Sequence, residues 1–228
     1  MQDDTDIALA VLDMAGTTVA DDGAVIAAFD DAATAVGLPE TGPERDKARR
    51  YVLDTMGQSK IVVFRALFGS DHRAAVANAA FESAYERYIE AGSVTAIPGA
   101  AEAIAKLRAA GIKVALTTGF SRTTQRKLLD ALGWSEVADL VLAPADAGRG
   151  RPYPDLVLTA LLRLEVDDVR RIAVLGDTAS DILSGLRAGA GIVAGTLTGA
   201  HDAETLRAAG ATHVLGSVTE LPALLLSA

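Results

Sequence analysis

The feature that most constrains the fold of this sequence is a regular alternation of short apolar runs with longer helical segments. The apolar runs are rich in β-branched and aliphatic residues, as expected of strands buried in a parallel sheet. They cover residues 7–12, 112–116, 140–143, 172–175, 192–197 and, more weakly, 212–215. Segments with helical periodicity between them include residues 100–110, 124–132, 154–164 and 181–188. This order predicts an α/β fold with a doubly wound, mostly parallel sheet, which binds ligands at the carboxyl ends of its strands.

One long stretch interrupts the alternation. Residues 21–93 are almost wholly helical in pattern and contain no convincing strand. Polar or glycine-rich seams flank this stretch at residues 20–23 and 91–94, and such seams suit hinges between two units. We therefore predict a helical cap, residues 21–93, inserted after the first strand of a catalytic core formed by residues 1–20 and 94–228.

Composition excludes several classes of function. The chain of 228 residues has a net charge of −9, which disfavours nucleic acids and anionic membrane surfaces as partners. It contains no cysteine, which rules out disulfides, thiolate metal sites and thiol catalysis. The acidic N-terminal sequence MQDDTD lacks the pattern of a signal peptide, and no apolar run approaches the roughly 20 residues of a membrane span. We expect a cytoplasmic protein that binds neither nucleic acid nor membrane.

Carboxylates follow two of the predicted strands. Asp13 ends the first strand, shortly before Gly16, which permits a sharp turn of the backbone. Asp177 and Asp181 follow the strand at residues 172–175, and Asp181 enters the next helix. Hard oxygen ligands at neighbouring strand ends suit Mg²⁺, which favours a few carboxylates together with water and phosphate oxygens. The sequence thus predicts a Mg²⁺ site, with Asp13 also available as a nucleophile.

Groups suited to binding phosphoryl oxygens follow two further strands. Thr118 offers a hydroxyl and Gly119 a backbone N–H, and the run Gly-Arg-Gly-Arg-Pro offers the guanidinium of Arg149 or of Arg151. Taken singly, each residue has a plainer interpretation: an aspartate can cap a helix, a threonine can be a strand hydroxyl, and an arginine can be a solvated loop charge. Four such elements, each just beyond a different strand, favour a site for chemistry at phosphorus.

In this order the motifs resemble those of the haloacid dehalogenase superfamily: a strand-end Asp before Gly-Thr, a Ser or Thr, a Lys or Arg, and an acidic Gly-Asp pair. The resemblance spans nearly the whole chain. It implies that Asp13 is a nucleophile that forms an aspartyl-phosphoryl intermediate. It implies that Thr118 orients the phosphoryl group with backbone amides around Gly16 and Gly119, and that Arg151, directly before Pro152, stabilises the charge.

The same resemblance implies a metal shell. Asp177 would bind Mg²⁺ together with Asp13 and the main-chain carbonyl of Ala15, while Asp181 would complete or support the shell. Two anions approach each other only when a cation offsets their repulsion, and a metal ion with an arginine does so where charge accumulates.

Ala15 stands where most phosphatases of this superfamily carry a second Asp, which protonates an alcohol leaving group. A methyl group transfers no proton, so a poor alkoxide leaving group would lose the roughly 10²- to 10⁴-fold contribution of general acid catalysis. The Asp-x-Ala-Gly-Thr-Thr form, with an Arg in place of the usual core Lys, resembles the phosphonoacetaldehyde hydrolases, or phosphonatases. These enzymes cleave a carbon–phosphorus bond.

A lysine in the predicted cap extends this resemblance. The run from Met56 to Lys60, Met-Gly-Gln-Ser-Lys, resembles the Met-Gly-x-x-Lys motif whose lysine forms a Schiff base with the substrate aldehyde. Met56 is then expected to contact the substrate. The alternative is that Lys60 is an ordinary surface lysine or a phosphate anchor. Two departures weigh for the alternative: Val63 replaces the expected His three residues later, and Phe120 replaces a Tyr after Thr-Thr-Gly.

Three functions follow from these patterns. The first is phosphonatase-like C–P hydrolysis of a phosphonoacetaldehyde-type substrate. The second is a phosphomonoester phosphatase acting on a small metabolite such as phosphoglycolate or a sugar phosphate. The third is a catalytically silent module that binds a phosphorylated metabolite or a protein partner.

Two further sets of residues have structural interpretations. The apolar run Val62, Val63 and Phe64 could fill the cap core or form a cap–cap contact in a homodimer. The three histidines, among them His201, are expected to be surface or loop residues.

Overall fold

The computed structural model describes residues 6–20 and 22–227. Residues 1–5, Asp21 and Ala228 lie outside the described residues. The acidic N-terminal segment, except Asp6, and one residue of the predicted seam at residues 20–23 therefore also lie outside them.

Six strands form one parallel sheet. The strands of the described chain are β1 (Leu9–Asp13), β2 (Val19–Ala20), β3 (Thr95–Ala96), β4 (Lys113–Thr117), β5 (Leu140–Leu142), β6 (Ile172–Gly176), β7 (Ile192–Thr196) and β8 (His213–Leu215). The sheet has the order β5-β4-β1-β6-β7-β8, and all of its neighbours pair in parallel. Every residue of β1 is buried, since helices cover both faces of the sheet. The predicted α/β fold is confirmed, and each of the six predicted strands lies within two residues of its predicted bounds.

The helices fall into two groups. Those before β3 are α1 (Ala24–Ala35), α2 (Pro43–Asp54), α3 (Lys60–Phe68) and α4 (Asp71–Glu90). Those after β3 are α5 (Ala100–Ala109), α6 (Arg122–Ala131), α7 (Pro144–Ala147), α8 (Asp155–Arg163), α9 (Ala179–Ala188), α10 (Ala203–Ala208) and α11 (Leu221–Leu226), with 3₁₀ turns at Val169–Arg171 and Val218–Glu220. The four helices expected between the strands correspond to α5, α6, α8 and α9.

Helices α1 to α4, here called the cap helices, pack around aromatic side chains. Phe29 of α1 lies with its ring centroid 5.1 Å from that of Phe64 in α3 and 4.9 Å from that of Phe81 in α4. Burial of such a ring contributes roughly 1.5–3 kcal/mol, so this cluster accounts for much of the cohesion among the cap helices.

The chain enters and leaves the cap helices through a feature that the sequence did not indicate. Strands β2 and β3 pair antiparallel, with Val19 opposite Ala96 and Ala20 opposite Thr95. Two residues per strand give no readable periodicity, which is why the pattern missed them. This strand pair holds the segment that enters the cap helices beside the segment that leaves them. The division into core and cap at residues 20/21 and 93/94 stays a prediction.

The apolar run in α3 mostly faces inward. Val63 and Phe64 are buried in the main hydrophobic core, whereas Val62 is 49 % exposed. Only Val62 of the three is thus free to meet another molecule, and the homodimer stays a prediction. Over residues 6–20 and 22–227, no helix combines the length and the apolar character needed to cross a membrane.

Candidate active site

Asp13 lies at the carboxyl end of the central strand β1. Its neighbour in β4 is Thr117, and β6 ends beside it at Gly176. Because parallel strands end at one edge of the sheet, Thr118 and Asp177, the residues that follow β4 and β6, are brought to the same edge. All three side chains are buried, with relative exposures of 4 % for Asp13, 1 % for Thr118 and 2 % for Asp177.

The guanidinium of Arg151 joins two of the carboxylates. Its Nη1 lies 2.6 Å from Oδ1 of Asp13 and also contacts Oδ1 of Asp181. Arg149, the other candidate from the sequence, is exposed and donates to both carboxylate oxygens of Asp155, at 2.9 and 2.7 Å. Of the two arginines, Arg151 is therefore the one that lies at the carboxylates, and its role in stabilising charge stays a prediction.

Asp181 supports the site from behind. Its Oδ2 accepts hydrogen bonds from the backbone N–H of Thr178, at 3.1 Å, and from the Thr178 hydroxyl, while its Oδ1 contacts Arg151. The Thr178–Asp181 pair is a capping box at the start of α9, so the helix-cap interpretation also holds. With both oxygens engaged, Asp181 suits the supporting role better than that of a direct ligand.

Hydrogen bonds that were not predicted from the sequence hold the carboxylate of Asp177. Its Oδ1 accepts from the Thr17 hydroxyl at 3.1 Å, and its Oδ2 accepts from the backbone N–H of Ala200 at 2.8 Å. The Thr198 hydroxyl donates to the carbonyl of Gly16 at 2.7 Å, which fixes the turn after β1. Thr17 belongs to the quoted Asp-x-Ala-Gly-Thr-Thr run and could have been found. Thr198 and Ala200 follow a different strand and carry no local signal.

The site carries more negative than positive charge. One carboxylate oxygen from each of Asp13, Asp177 and Asp181 lies within 4.8 Å of the others, against the single guanidinium of Arg151. Burial raises the pKa of Asp13 to about 6, against the opposing pull of Arg151. Burial, together with the charges of Asp13 and Asp181, raises the pKa of Asp177 well above its ordinary range. For Arg151, burial is outweighed by the two carboxylates, so its pKa rises and it stays charged.

This donor set fits a hard divalent cation. The three buried carboxylates outnumber the two cationic side chains at the cavity, Arg151 and Lys60, and carboxylate oxygens are the ligands that Mg²⁺ prefers. Nε of Arg151 is buried with no hydrogen-bond partner in the described residues. A buried donor without an acceptor is costly, so an anionic ligand oxygen that reached Nε would stabilise the site.

The cap helices complete a small cavity in front of Asp13. From the cap come Val25, Met56, Gly57 and Lys60; from the core come Asp13, Ala15, Thr118, Gly119, Phe120, Arg151, Asp177 and Thr178. The structure thus brings together most of the residues predicted for the site. Gly16 lies in an adjoining recess with Ala15 and Asp177, and Asp181 lies behind Arg151.

Lys60, at the start of α3, is buried rather than on the surface, with a relative exposure of 7 %. Its Nζ lies 5.5, 5.8 and 5.2 Å from the ring centroids of Phe29, Phe81 and Phe120. Aromatic faces at this distance attract a cation. The surface-lysine interpretation is therefore wrong for Lys60, whereas the Schiff-base and phosphate-anchor interpretations both stay open.

Two glycines allow the cap to approach the core closely. A Cβ at Gly57 would lie 2.4 Å from Oγ1 of Thr178, and a Cβ at Gly119 would lie 2.5 Å from the carbonyl oxygen of Gln58. The backbone N–H of Lys60 donates to the carbonyl of Gly119 at 3.3 Å. The segment that leads into Lys60 is thereby held directly against the strand ends.

Thr118 is oriented by its own loop. Its Oγ1 accepts from the backbone N–H of Phe120 at 3.1 Å, and its backbone N–H donates to Leu142 at 3.2 Å. Since the hydroxyl oxygen is an acceptor in this contact, its hydrogen can donate to a phosphoryl oxygen in the cavity.

Comparisons with known proteins show what this chain is similar to. The model of the haloacid dehalogenase-like hydrolases matches residues 7–189. The phosphonoacetaldehyde hydrolase of Pseudomonas fluorescens is 31% identical over 202 residues, 83% of this chain and 73% of that protein. A probable phosphatase of Dickeya dadantii is 26% identical over 217 residues, 93% of this chain and 91% of that protein. The crystal structure of a hydrolase from Pseudomonas syringae superposes with a TM-score of 0.83 at 25% identity, covering 96% of this chain and 97% of that one.

The matched region contains the strand-end residues described above, from Asp13 to Asp181. The resemblance expected from the sequence is confirmed, as is the expectation of a hydrolase. This chain belongs to the haloacid dehalogenase-like hydrolases and is related within them to the phosphonoacetaldehyde hydrolases.

Proposed function

We propose that this protein is a Mg²⁺-dependent hydrolase that cleaves the C–P bond of a phosphonoacetaldehyde-type substrate, with Asp13 as nucleophile and Lys60 as Schiff-base lysine. The observation that carries the proposal is that Lys60 lines the same small cavity as Asp13 and Arg151. A small phosphonate held there would have phosphorus near Asp13 and its organic part toward the cap.

The core side of the cavity supplies what attack on phosphorus needs. A carboxylate oxygen of Asp13 forms the new bond to phosphorus, while Arg151 and the Thr118 hydroxyl bind the phosphoryl oxygens. Mg²⁺, held by Asp13, Asp177 and the main-chain carbonyl of Ala15, would offset the repulsion between the Asp13 carboxylate and the anionic substrate. Asp181 keeps Arg151 in position through their direct contact.

The leaving group is the difficult part of the reaction. Breaking a C–P bond leaves an electron pair on carbon, and Ala15 has no proton to offer. Lys60 can solve this problem by condensing with the substrate aldehyde, with loss of water, to give a protonated imine. The C–P electron pair then moves into the new carbon–carbon double bond of an enamine as the Asp13–phosphorus bond forms. A proton from solvent adds to the enamine carbon and gives the imine of the product. Water then hydrolyses this imine and the aspartyl phosphate, which returns both residues to their starting state.

The relatives support a reaction at phosphorus in general terms. The match to the Pseudomonas fluorescens protein, whose name is phosphonoacetaldehyde hydrolase, favours C–P cleavage. The position of Lys60 also favours this hypothesis, because the buried lysine lines the same cavity as Asp13 and one small substrate could contact both.

Borohydride trapping tests the proposal. Phosphonoacetaldehyde and Mg²⁺ are added to the protein with sodium borohydride, and the adduct is located by peptide mass spectrometry. We expect a reduced adduct on Lys60, and we expect Lys60→Arg to abolish phosphate release. Lys47→Arg is the matched control, since Lys47 is an exposed lysine of α2, and it should retain both adduct and turnover. Full turnover by Lys60→Arg would eliminate imine chemistry.

A phosphomonoester phosphatase is the second candidate, and one observation favours it. The three aromatic rings around Lys60 stabilise its ammonium form, in which it could anchor a phosphate or donate a proton to an ester leaving group. The relationship to the probable phosphatase of Dickeya dadantii points the same way. Steady release of phosphate from phosphoglycolate or small sugar phosphates, without phosphonate turnover, would select this candidate.

Asp13→Asn separates both enzymes from a silent binding module. It retains the shape of the side chain but removes the nucleophile, so it should abolish Mg²⁺-dependent product release from every substrate. Absence of turnover in the wild-type protein across phosphonates and phosphate esters would favour the module instead.

A further inference from the structure

The loop that follows β7, residues 197–201, wraps around Asp177. Ala200 donates its backbone N–H to Oδ2 of Asp177, and the backbone N–H of His201 donates to the Asp177 carbonyl at 3.2 Å. The approach at Gly199 is so close that a Cβ there would lie 2.0 Å from Oδ2 of Asp177. Both the side chain and the main chain of Asp177 are therefore held by this loop.

The imidazole of His201 ties the loop to the start of α9. Its Nδ1 accepts the backbone N–H of Ala179, the first residue of α9, at 2.9 Å. That N–H is one of the helix-terminal donors that have no partner within the helix. Asp177 lies two residues before the first residue of this helix, and Asp181 lies in its first turn. A single ring thus connects the loop that donates to Asp177 with the helix that carries Asp181.

We infer that His201 is a positioning residue for the metal site: its Nδ1 acceptor fixes the 197–201 loop so that the Ala200 N–H orients the Asp177 carboxylate. This inference rests on the proposed role of Asp177 as a metal ligand. His201 does not line the cavity in front of Asp13, so its effect is exerted through Asp177 and not on the substrate. Groups that orient a metal ligand commonly contribute about 10- to 100-fold to metal affinity.

Two substitutions of His201 distinguish the effect of its hydrogen-bond acceptor from the effect of its side-chain volume. His201→Ala removes the acceptor, and His201→Asn retains one, since the Asn Oδ1 reaches nearly the position of Nδ1. His213→Ala is the matched control, because His213 is an exposed histidine in β8 that contacts the neighbouring Thr212.

Mg²⁺ binding is measured by isothermal titration calorimetry without substrate, and unfolding midpoints are measured in EDTA. We expect His201→Ala to weaken Mg²⁺ binding by about 10-fold or more. His201→Asn should stay within about threefold of wild type, and His213→Ala should be unchanged. At saturating Mg²⁺, His201→Ala should recover most of the wild-type kcat, which a damaged core would not allow.

Wild-type Mg²⁺ affinity in folded His201→Ala would overturn the inference and leave the metal site intact. If His201→Ala loses its fold, His201→Asn decides: native affinity supports the inference, and weakened binding in a folded protein overturns it. Asp177→Asn tests the proposed metal site separately from the role of His201. If wild type and Asp177→Asn bind Mg²⁺ equally, the metal site proposed above fails, and the role of His201 fails with it.

Discussion

Replacing Asp13, the proposed nucleophile, should stabilise this protein when no metal is present. Asp13 is 4 % exposed, and burial raises its pKa from an ordinary 3.8 to about 6 even with Arg151 beside it. Its charged form is therefore disfavoured in the folded state. Asp13→Asn replaces it with a neutral side chain of the same shape, and Arg151 keeps its contact with Asp181.

The size and the pH dependence of the effect follow from the same pKa. At 1.36 kcal/mol per pH unit, the interval from 3.8 to about 6 corresponds to about 3 kcal/mol. Between these two values the folded state binds more protons than the unfolded state, so the penalty from Asp13 grows as the pH rises. It is absent below about pH 4 and complete above about pH 6. Asp13→Asn should therefore equal wild type at the acid end and exceed it by about 3 kcal/mol at pH 7.5.

Urea unfolding in EDTA, for both proteins across this pH range, measures the difference directly. Groups remote from Asp13 cancel to first order, because only the difference between the two proteins is used. Asp177 does not cancel: the Asp13 charge raises its pKa, so removing that charge adds to the stability gained by Asp13→Asn. Saturating Mg²⁺ should remove or reverse the stability gain of Asp13→Asn, since Mg²⁺ binds the three carboxylates of the wild-type protein more strongly than the two that remain in the variant. An Asp13→Asn protein that is equal to or less stable than wild type at pH 7.5 in EDTA would refute the electrostatic reasoning.

Three further substitutions test the geometry. Arg151→Met should abolish turnover and lower the free energy of unfolding by about 3 kcal/mol or more at neutral pH, because it leaves buried carboxylates without their cation. Arg149→Met removes an exposed arginine and should change neither quantity, so equal effects of the two substitutions would contradict the role given to Arg151. Gly119→Ala forces a Cβ against the carbonyl of Gln58, so kcat/KM should fall at least about 10-fold in steady-state assays, and an unchanged value would mean that the close contact is not needed. Ala15→Asp places a carboxyl group in the cavity and should raise kcat for the hydrolysis of phosphate esters by about 10²-fold. An unchanged kcat would show that the lack of a proton donor at this position does not limit ester cleavage.

Several features could be read from the sequence because they depend on local order. The strands of the sheet follow from apolar runs of characteristic length, and the positions of Asp13 and Asp177 follow from the rule that parallel strands end at one edge. Thr17 also lies within the Asp-x-Ala-Gly-Thr-Thr motif, although its contact with Asp177 was not predicted. These inferences need no knowledge of how distant segments pack.

Other features depend on packing and could not be read. Arg149 and Arg151 stand in one short run with identical chemistry, and burial alone separates them: Arg151 reaches Asp13, while Arg149 turns to Asp155. The aromatic surroundings of Lys60 combine rings from two cap helices with Phe120 of the core.

The sequence by itself determined the α/β architecture, the strand ends at which chemistry is placed and the family to which the chain belongs, since periodicity and motif order are properties of neighbouring residues. Only the tertiary structure decided which arginine enters the site, what surrounds Lys60 and which loop holds Asp177. Those outcomes depend on contacts between segments far apart in the chain, such as the one from Ala200 to Asp177, and on which polar groups lose their water when the segments meet.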